Sequence, residues 1–284
     1  MERLRRKRAL SRGCDQASNP VATEARGSTD LIRCGEHTAA VATADSQSLE
    51  IVVDDATRVS GILIAPRESE ACFVVAHGAG AGMRHPFMAK LANDLAELRI
   101  ATLRYQFPYM ERHGKRPDTP AVCHAAVRAA VAAASGLVPG LPLMAGGKSF
   151  GGRMTSQAQA SAPLPGVRGL VFLGFPLHPP KEPSDTRGEH LARVQIPMLF
   201  LQGARDTFAE PELLNPLVKR LGGQATLCLL RDADHSFHVP ARSSVNDAEI
   251  NAEMLAALAS WVKLVAAGPA TPKGSQVQSG RPSS

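Results

Sequence analysis

Short apolar runs and longer mixed stretches take turns along this chain. Ala71–Ala76 (Ala-Cys-Phe-Val-Val-Ala), Gly169–Leu173 and Pro197–Gln202 are nearly unbroken apolar segments with the length of strands buried on both faces. Ile100–Arg104, Leu141–Ala145 and Ala225–Leu230 extend the series. Between them, helices are predicted over 86–98, with Pro86 in the first turn, over 119–135, rich in Ala and Val, and over 149–160, 209–221 and 246–266. Ahead of the first buried run, Ile51–Val53 and Val59–Ile64 flank the turn-forming pair Asp54-Asp55 and predict two antiparallel strands at a sheet edge. Strand and helix alternation of this kind implies a mostly parallel sheet with helices on both faces. Ligands then bind at the carboxyl ends of the strands.

The pattern fades at both ends. Residues 1–45 show no sustained period of 2 or 3.6 and read as a basic tail without assigned structure, and 268–284 are rich in Pro, Gly, Ser and Gln. The expected folded domain is 46–267. With 284 residues and 44% hydrophobic content, one core is sufficient. The formal charge of +6 is concentrated in Arg3, Arg5, Arg6, Lys7, Arg8 and Arg12, so the body is close to neutral. Only 4% of the chain is aromatic, which leaves little for base stacking, and no specific nucleic-acid partner is expected. The chain carries no signal for a protein partner either.

Five cysteines (Cys14, Cys34, Cys72, Cys123, Cys228) are odd in number and lack a C-x-x-C pair, which argues against a disulfide framework or a zinc cluster. A reducing, cytoplasmic setting is expected. No apolar run of secretory-signal length follows the basic start, and Asp15, Glu24 and Asp30 argue against a transit peptide. No segment is read as long enough to span a membrane.

Candidate chemistry centres on residues 141–154. An apolar run, a glycine pair and Gly147-Lys148-Ser149-Phe150-Gly151 read as strand, sharp turn and helix with a serine at the apex, the G-x-S-x-G nucleophile elbow. A phosphate-cradling loop would need glycine where Pro142 stands. A plainer reading makes Ser149 a helix cap. The run His77-Gly78-Ala79-Gly80-Ala81-Gly82 has Met83 and His85 where a dinucleotide fingerprint needs glycine, and suits instead a turn whose backbone N–H groups face a ligand.

An elbow serine requires an acid and a histidine later in the chain, each in a loop after a strand. Asp206 follows the strand ending at Gln202, and His235 follows the strand ending at Leu230. Ser149 is then the nucleophile, His235 its base and Asp206 the group that orients the base. Oxyanion donors are expected from the N–H of Phe150 and from Ala79 or Gly80. Asp232 and Asp234 are spare acids, and His238 a spare base. Each member has a structural counterpart: Asp206 as a helix cap, His235 as a loop histidine, His77 and His85 as supports of the glycine turn. Lys148 and Arg153 flank the serine and either favour an anionic substrate or pair with neighbouring acids. His77, Phe107, Tyr109, Phe175 and His178 are expected to line the pocket or stiffen its loops. About 23 residues between Leu173 and Pro197 leave little room for a lid. The site calls for no metal and no cofactor.

The motifs His77–Met83, Phe107–Glu111, Gly146–Met154, Gly174–Pro180 and Asp234–Phe237 together resemble a small α/β-hydrolase family. Its members include bacterial hydrolases related to dienelactone hydrolases, a testis-expressed hydrolase-like protein and a hydrolase-like domain of a chromatin acetyltransferase-complex subunit. The resemblance covers roughly residues 50–265, with Phe150 in a position where methionine is expected. It implies an α/β-hydrolase fold with minimal or no cap and the triad Ser149, Asp206 and His235. The function expected is cleavage of a carboxylic ester or similar small-molecule acyl compound through an acyl-enzyme. The alternative is a catalytically silent interaction module on the same fold.

Overall fold

The computed structural model describes residues 45–268. The expectations for the basic N-terminal tail and for the tail beyond Gly268 lie outside the described residues.

Eight strands form one sheet in the order β1-β2-β4-β3-β5-β6-β7-β8. β1 (Ser46–Val52) and β2 (Arg58–Ile64) pair antiparallel, and β2 pairs antiparallel with β4 (Ile100–Tyr105). From β4 onward the sheet is parallel, through β3 (Ala71–Ala76), β5 (Leu143–Lys148), β6 (Val167–Leu173), β7 (Met198–Gly203) and β8 (Ala225–Leu230). The unbroken apolar runs explain this placement: β3, β4 and β7 are buried at every position, as strands covered on both faces must be.

Helices α1 (Pro86–Glu97) and α6 (Asp247–Ala267) cover one face, where Met88, Leu91, Met254 and Trp261 pack with Phe73, Val75 and Leu199. After the four-residue turn α2 (Pro108–Glu111), helices α3 (Pro120–Leu137), α4 (Phe150–Ser161) and α5 (Pro211–Leu221) cover the other. There Phe172 lies against Phe175 and Phe200, with ring centroids 5.0 and 4.8 Å apart. Each such side chain removed from water contributes about 1.5–3 kcal/mol.

Starts and stops follow local chemistry. Proline stands in the first turn of α1, α2, α3 and α5, where its missing N–H costs no helical bond. Asn246 caps α6 in a box with Glu249, and Gly268 ends it at φ 70°.

Three sequence expectations change. The serine strand runs to Lys148, not Ala145, because residues without side chains at 146 and 147 let β5 continue between β3 and β6. The expected loop at Phe107–Met110 contains the helical turn α2, and the β6–β7 connection holds a 3-10 helix, Thr186–Arg193. Third, α3 and α6 are long and apolar enough to cross a membrane by length and composition. Both bury one face against the sheet, through Cys123, Val127 and Val131 in α3 and Ile250, Leu258 and Val262 in α6.

Candidate active site

β5 delivers Ser149 to the carboxyl edge of the sheet in a conformation that few non-glycine residues adopt, φ 50° and ψ −113°. Holding a serine there costs on the order of 1–3 kcal/mol. The Ser149 N–H donates to the Leu173 carbonyl at 3.1 Å, which ties the apex to β6. Gly151 provides the clearance: a Cβ there would stand 2.5 Å from the Ala76 carbonyl oxygen and 2.6 Å from that of His77. Helix α4 thus starts in direct contact with the loop leaving β3.

The three side chains anticipated from sequence meet. His235 Nε2 lies 2.8 Å from Ser149 Oγ, and His235 Nδ1 lies 2.7 Å from Asp206 Oδ2. A carboxylate only accepts, so the imidazole donates from Nδ1 and presents Nε2 as the acceptor for the serine hydroxyl. Asp206 is buried and takes two further bonds, from Gln202 Nε2 to Oδ2 at 2.5 Å and from the Phe208 N–H to Oδ1 at 2.8 Å. Three donors around one buried carboxylate fix its position and orientation.

The spare residues have other work. Asp234 Oδ1 accepts from the N–H groups of Ser236 and His238, shaping the turn that aims His235. Asp232 bonds the Ser243 hydroxyl, and His238 pairs with Asp247 on the exposed side of the loop.

A cleft of about 420 Å³ opens over Ser149. Gly78, Ala79 and Ala81 form one wall, Phe87 and Met88 from the start of α1 another, and Phe208 stands by His235 and Ser236. The Phe208 ring packs on the His235 imidazole at a centroid distance of 4.5 Å. A larger cavity of about 800 Å³ adjoins it, sharing Ala81 and His85 and lined further by Arg84, Gln106 and Glu111.

The expected pocket residues are not in that wall. His77 is fully buried, with Nδ1 on the Gly78 carbonyl at 2.7 Å and Nε2 accepting the Phe107 N–H at 3.1 Å. Those partners fix the neutral tautomer with its proton on Nδ1, and burial pushes the imidazole down to about 4. Phe107, Tyr109 and Phe150 pack edge-on behind the elbow. Phe175 is core, and His178 bonds Glu210 and its neighbour's carbonyl. These residues follow strands at the correct edge, but Phe107 and Tyr109 pack on Phe150 of α4 and Phe175 on Phe172 and Phe200, so they stiffen loops and do not line the cleft.

Gly80 also changes role. Its N–H donates to the Tyr109 hydroxyl at 3.1 Å, which leaves Ala79 in the cleft wall as the candidate donor from this loop. Neither cation beside the serine pairs with an acid among the described residues. Lys148 Nζ donates to the His235 carbonyl, and the Arg153 guanidinium lies 5.7 Å from the Phe150 ring centroid. The described residues hold no group of His, Cys, Asp and Glu that could bind a metal ion.

Sequence reasoning missed Gln202, Phe208, Phe87 and Met88 as parts of the site. Gln202 had a signal: a lone amide at the end of an apolar strand four residues before the acid. Phe208 had none, because only the fold stacks it on His235.

A family model described as an alpha/beta hydrolase domain matches residues 69–263. Similar solved structures include a dienelactone hydrolase from Anabaena variabilis, 19% identical over 78% of this chain and 96% of that one, with TM-score 0.59. An α/β serine hydrolase without lid from Xanthomonas campestris is 19% identical over 80% and 97%, with TM-score 0.57. A putative α/β hydrolase from Agrobacterium tumefaciens is 19% identical over 80% and 100%, with TM-score 0.59. At these identities the likeness is one of fold.

Proposed function

Because the chain belongs to the alpha/beta hydrolase domain family, we propose that it is a serine hydrolase that cleaves a carboxylic ester or similar small acyl compound. The observation that carries this reading is the unbroken line from Asp206 through His235 to a serine held at positive φ, with spacings of 2.7 and 2.8 Å. A cap or a loop histidine has no need of that alignment.

In this reading Ser149 Oγ attacks the acyl carbon as His235 Nε2 takes its proton, and the carbonyl π bond becomes an oxyanion. Asp206 keeps the imidazole in its tautomer and stabilises the imidazolium. The N–H groups of Phe150, at the start of α4, and of Ala79 bind the oxyanion, where each donor is worth roughly 3–4 kcal/mol of barrier. Collapse breaks the bond to the leaving oxygen, which receives the proton from His235. Water activated by His235 then adds to the acyl-enzyme, and a second collapse frees the acid and Ser149. The modest cleft and the short β6–β7 connection suit small acyl groups.

Intact-mass analysis after treatment with a fluorophosphonate tests the proposal. A single adduct on the wild type, lost in Ser149→Ala and His235→Ala, is expected. Folded wild type that takes no adduct would refute the reading and leave the interaction module as the account of this fold.

A further inference from the structure

The acyl transfer above gives Lys148 no task, yet Lys148 stands in the cleft wall beside Ser149. It is the last residue of β5, in register with Leu173 of β6, so its Cα is as fixed as the sheet. Its stem runs under the loop that follows β8. Nζ reaches the backbone carbonyl of His235 at 2.5 Å and lies 5.1 Å from the Phe237 ring centroid. Gly174 makes room for this crossing. A Cβ there would stand 3.0 Å from Lys148 Nζ and 3.3 Å from His235 Nδ1 and Cε1, so ammonium and imidazole share the space a side chain would fill.

We propose that Lys148 is a positioning residue whose ammonium straps the His235 loop to the nucleophile strand, fixing Nε2 over the Ser149 hydroxyl. The strap is a property of the fold. Its catalytic consequence rests on the hydrolase reading.

The physical case has three parts. A charge-assisted bond to a carbonyl is roughly twice as strong as a neutral one. It joins the nucleophile's immediate neighbour to the base itself, so slack in the loop translates into slack in the reacting pair. Misplacement by about 1 Å in such a pair costs on the order of a hundredfold in rate. The third part is charge. Burial pulls the ammonium down to about 8, against the opposing pull of Asp206 and Asp234, and His85 is the other titratable side chain across the cleft. The ammonium therefore predominates at neutral pH and is lost as pH rises through about 8. The charge assistance goes with it.

The test uses the full chain as wild type, Lys148→Met, which keeps the stem and removes the donor, and Lys148→Gln, which keeps a donor without charge. Two readouts are taken: amide hydrogen exchange of residues 232–240 at neutral pH, and the rate of fluorophosphonate labelling across the neutral to alkaline range. Lys148→Met is expected to exchange faster in that segment and to label about ten- to a hundredfold more slowly. Wild-type labelling is expected to fall as pH passes about 8, with no such fall in Lys148→Met, and Lys148→Gln should recover part of the rate. Unchanged exchange and an unchanged pH profile in Lys148→Met would overturn the proposal. Should that variant not fold, the same readouts on Lys148→Gln decide. A wild type that never labels refutes the hydrolase reading alone, and the exchange measurement still decides the strap.

Discussion

Replacing Asp206 by Asn swaps one carboxylate oxygen for a donor in a site where every neighbour already donates. Oδ2 receives Gln202 Nε2 and His235 Nδ1, and Oδ1 receives the Phe208 N–H. If the new NH2 group takes the Oδ2 position it opposes the Gln202 donor, and His235 must move its proton to Nε2 to accept from it, so that Nε2 can no longer accept from Ser149. If it takes the Oδ1 position it opposes one donor, the Phe208 N–H, and the useful tautomer survives. A buried donor left without a partner costs about 1–3 kcal/mol, and each orientation leaves one, so the labelling rate is what separates them. In the orientation that keeps the tautomer, stability should fall by about 2 kcal/mol. The rate loses the negative charge beside the imidazolium, about 4 kcal/mol at 4 Å and an effective dielectric constant near 20, partly offset by about 1 kcal/mol from the neutral bond that remains. A net loss of ~3 kcal/mol is between a hundred- and a thousandfold. Fluorophosphonate labelling rates and urea midpoints of wild type and Asp206→Asn measure both quantities. A rate loss below tenfold would refute the role given to Asp206. A loss beyond ~10⁴ would mean that the amide chose the other orientation and the tautomer flipped.

Gly151→Ala places a Cβ 2.5 Å from a backbone carbonyl that cannot rotate away, so α4 must shift from the β3 loop. A stability loss of about 1–3 kcal/mol or more and slower labelling are expected, read from the urea midpoint and the adduct rate. Tyr109→Phe removes the acceptor of the Gly80 N–H and should cost about 1 kcal/mol while labelling stays within a few fold. A clear rise in labelling rate would return Gly80 to the oxyanion site, because its freed N–H could then donate there. His77 and His190 are both held neutral by burial, down to about 4 from 6.5. Between these values the unfolded chain binds more protons, so stability rises with pH through that window and falls on acidification, by ~3 kcal/mol for a group shifted this far. Urea midpoints that stay level from pH 7 to pH 4 would contradict that assignment.

How much of this was legible before the structure depends on whether a signal was local. β3 was readable to the residue, since six apolar positions between polar flanks admit one strand register. Ser149, Asp206 and His235 were found because each sits just past a strand end, and the parallel sheet brings those ends to one edge. The cleft wall was less accessible. Phe107, Tyr109 and Phe175 occupy the right edge by sequence, but their burial is decided by rings distant in sequence, Phe150 of α4 for the first two and Phe200 of β7 for the third. Phe87, Met88 and Phe208 belong to elements whose neighbours are far away in sequence, and no spacing rule reaches them. Long apolar helices were underestimated for a related reason. Composition alone does not distinguish a helix that crosses a bilayer from one that lies on a sheet, and Met254 and Trp261 reveal the difference only through the strands they touch.

The same distinction explains how the site holds its strain. A serine at φ 50° persists only when the surroundings over-determine it. Three constraints meet at Ser149, each from a different strand end. The β6 carbonyl of Leu173 fixes its N–H, the β3 loop carbonyls of Ala76 and His77 leave no room for a side chain at Gly151, and the β8 loop supplies His235. Gln202 then joins β7 to this set by holding Phe175 and Asp206 together. A change at any one strand end shifts a partner of the serine, and the others cannot compensate, because backbone carbonyls and a rigid sheet do not repack. Gln202→Leu is the cleanest case: it preserves volume in the core, removes one donor from Asp206 and frees the Phe175 N–H. Its effect should appear in the labelling rate as well as in stability. A variant with lowered stability and an unaltered rate would show that the acid is positioned by Phe208 alone.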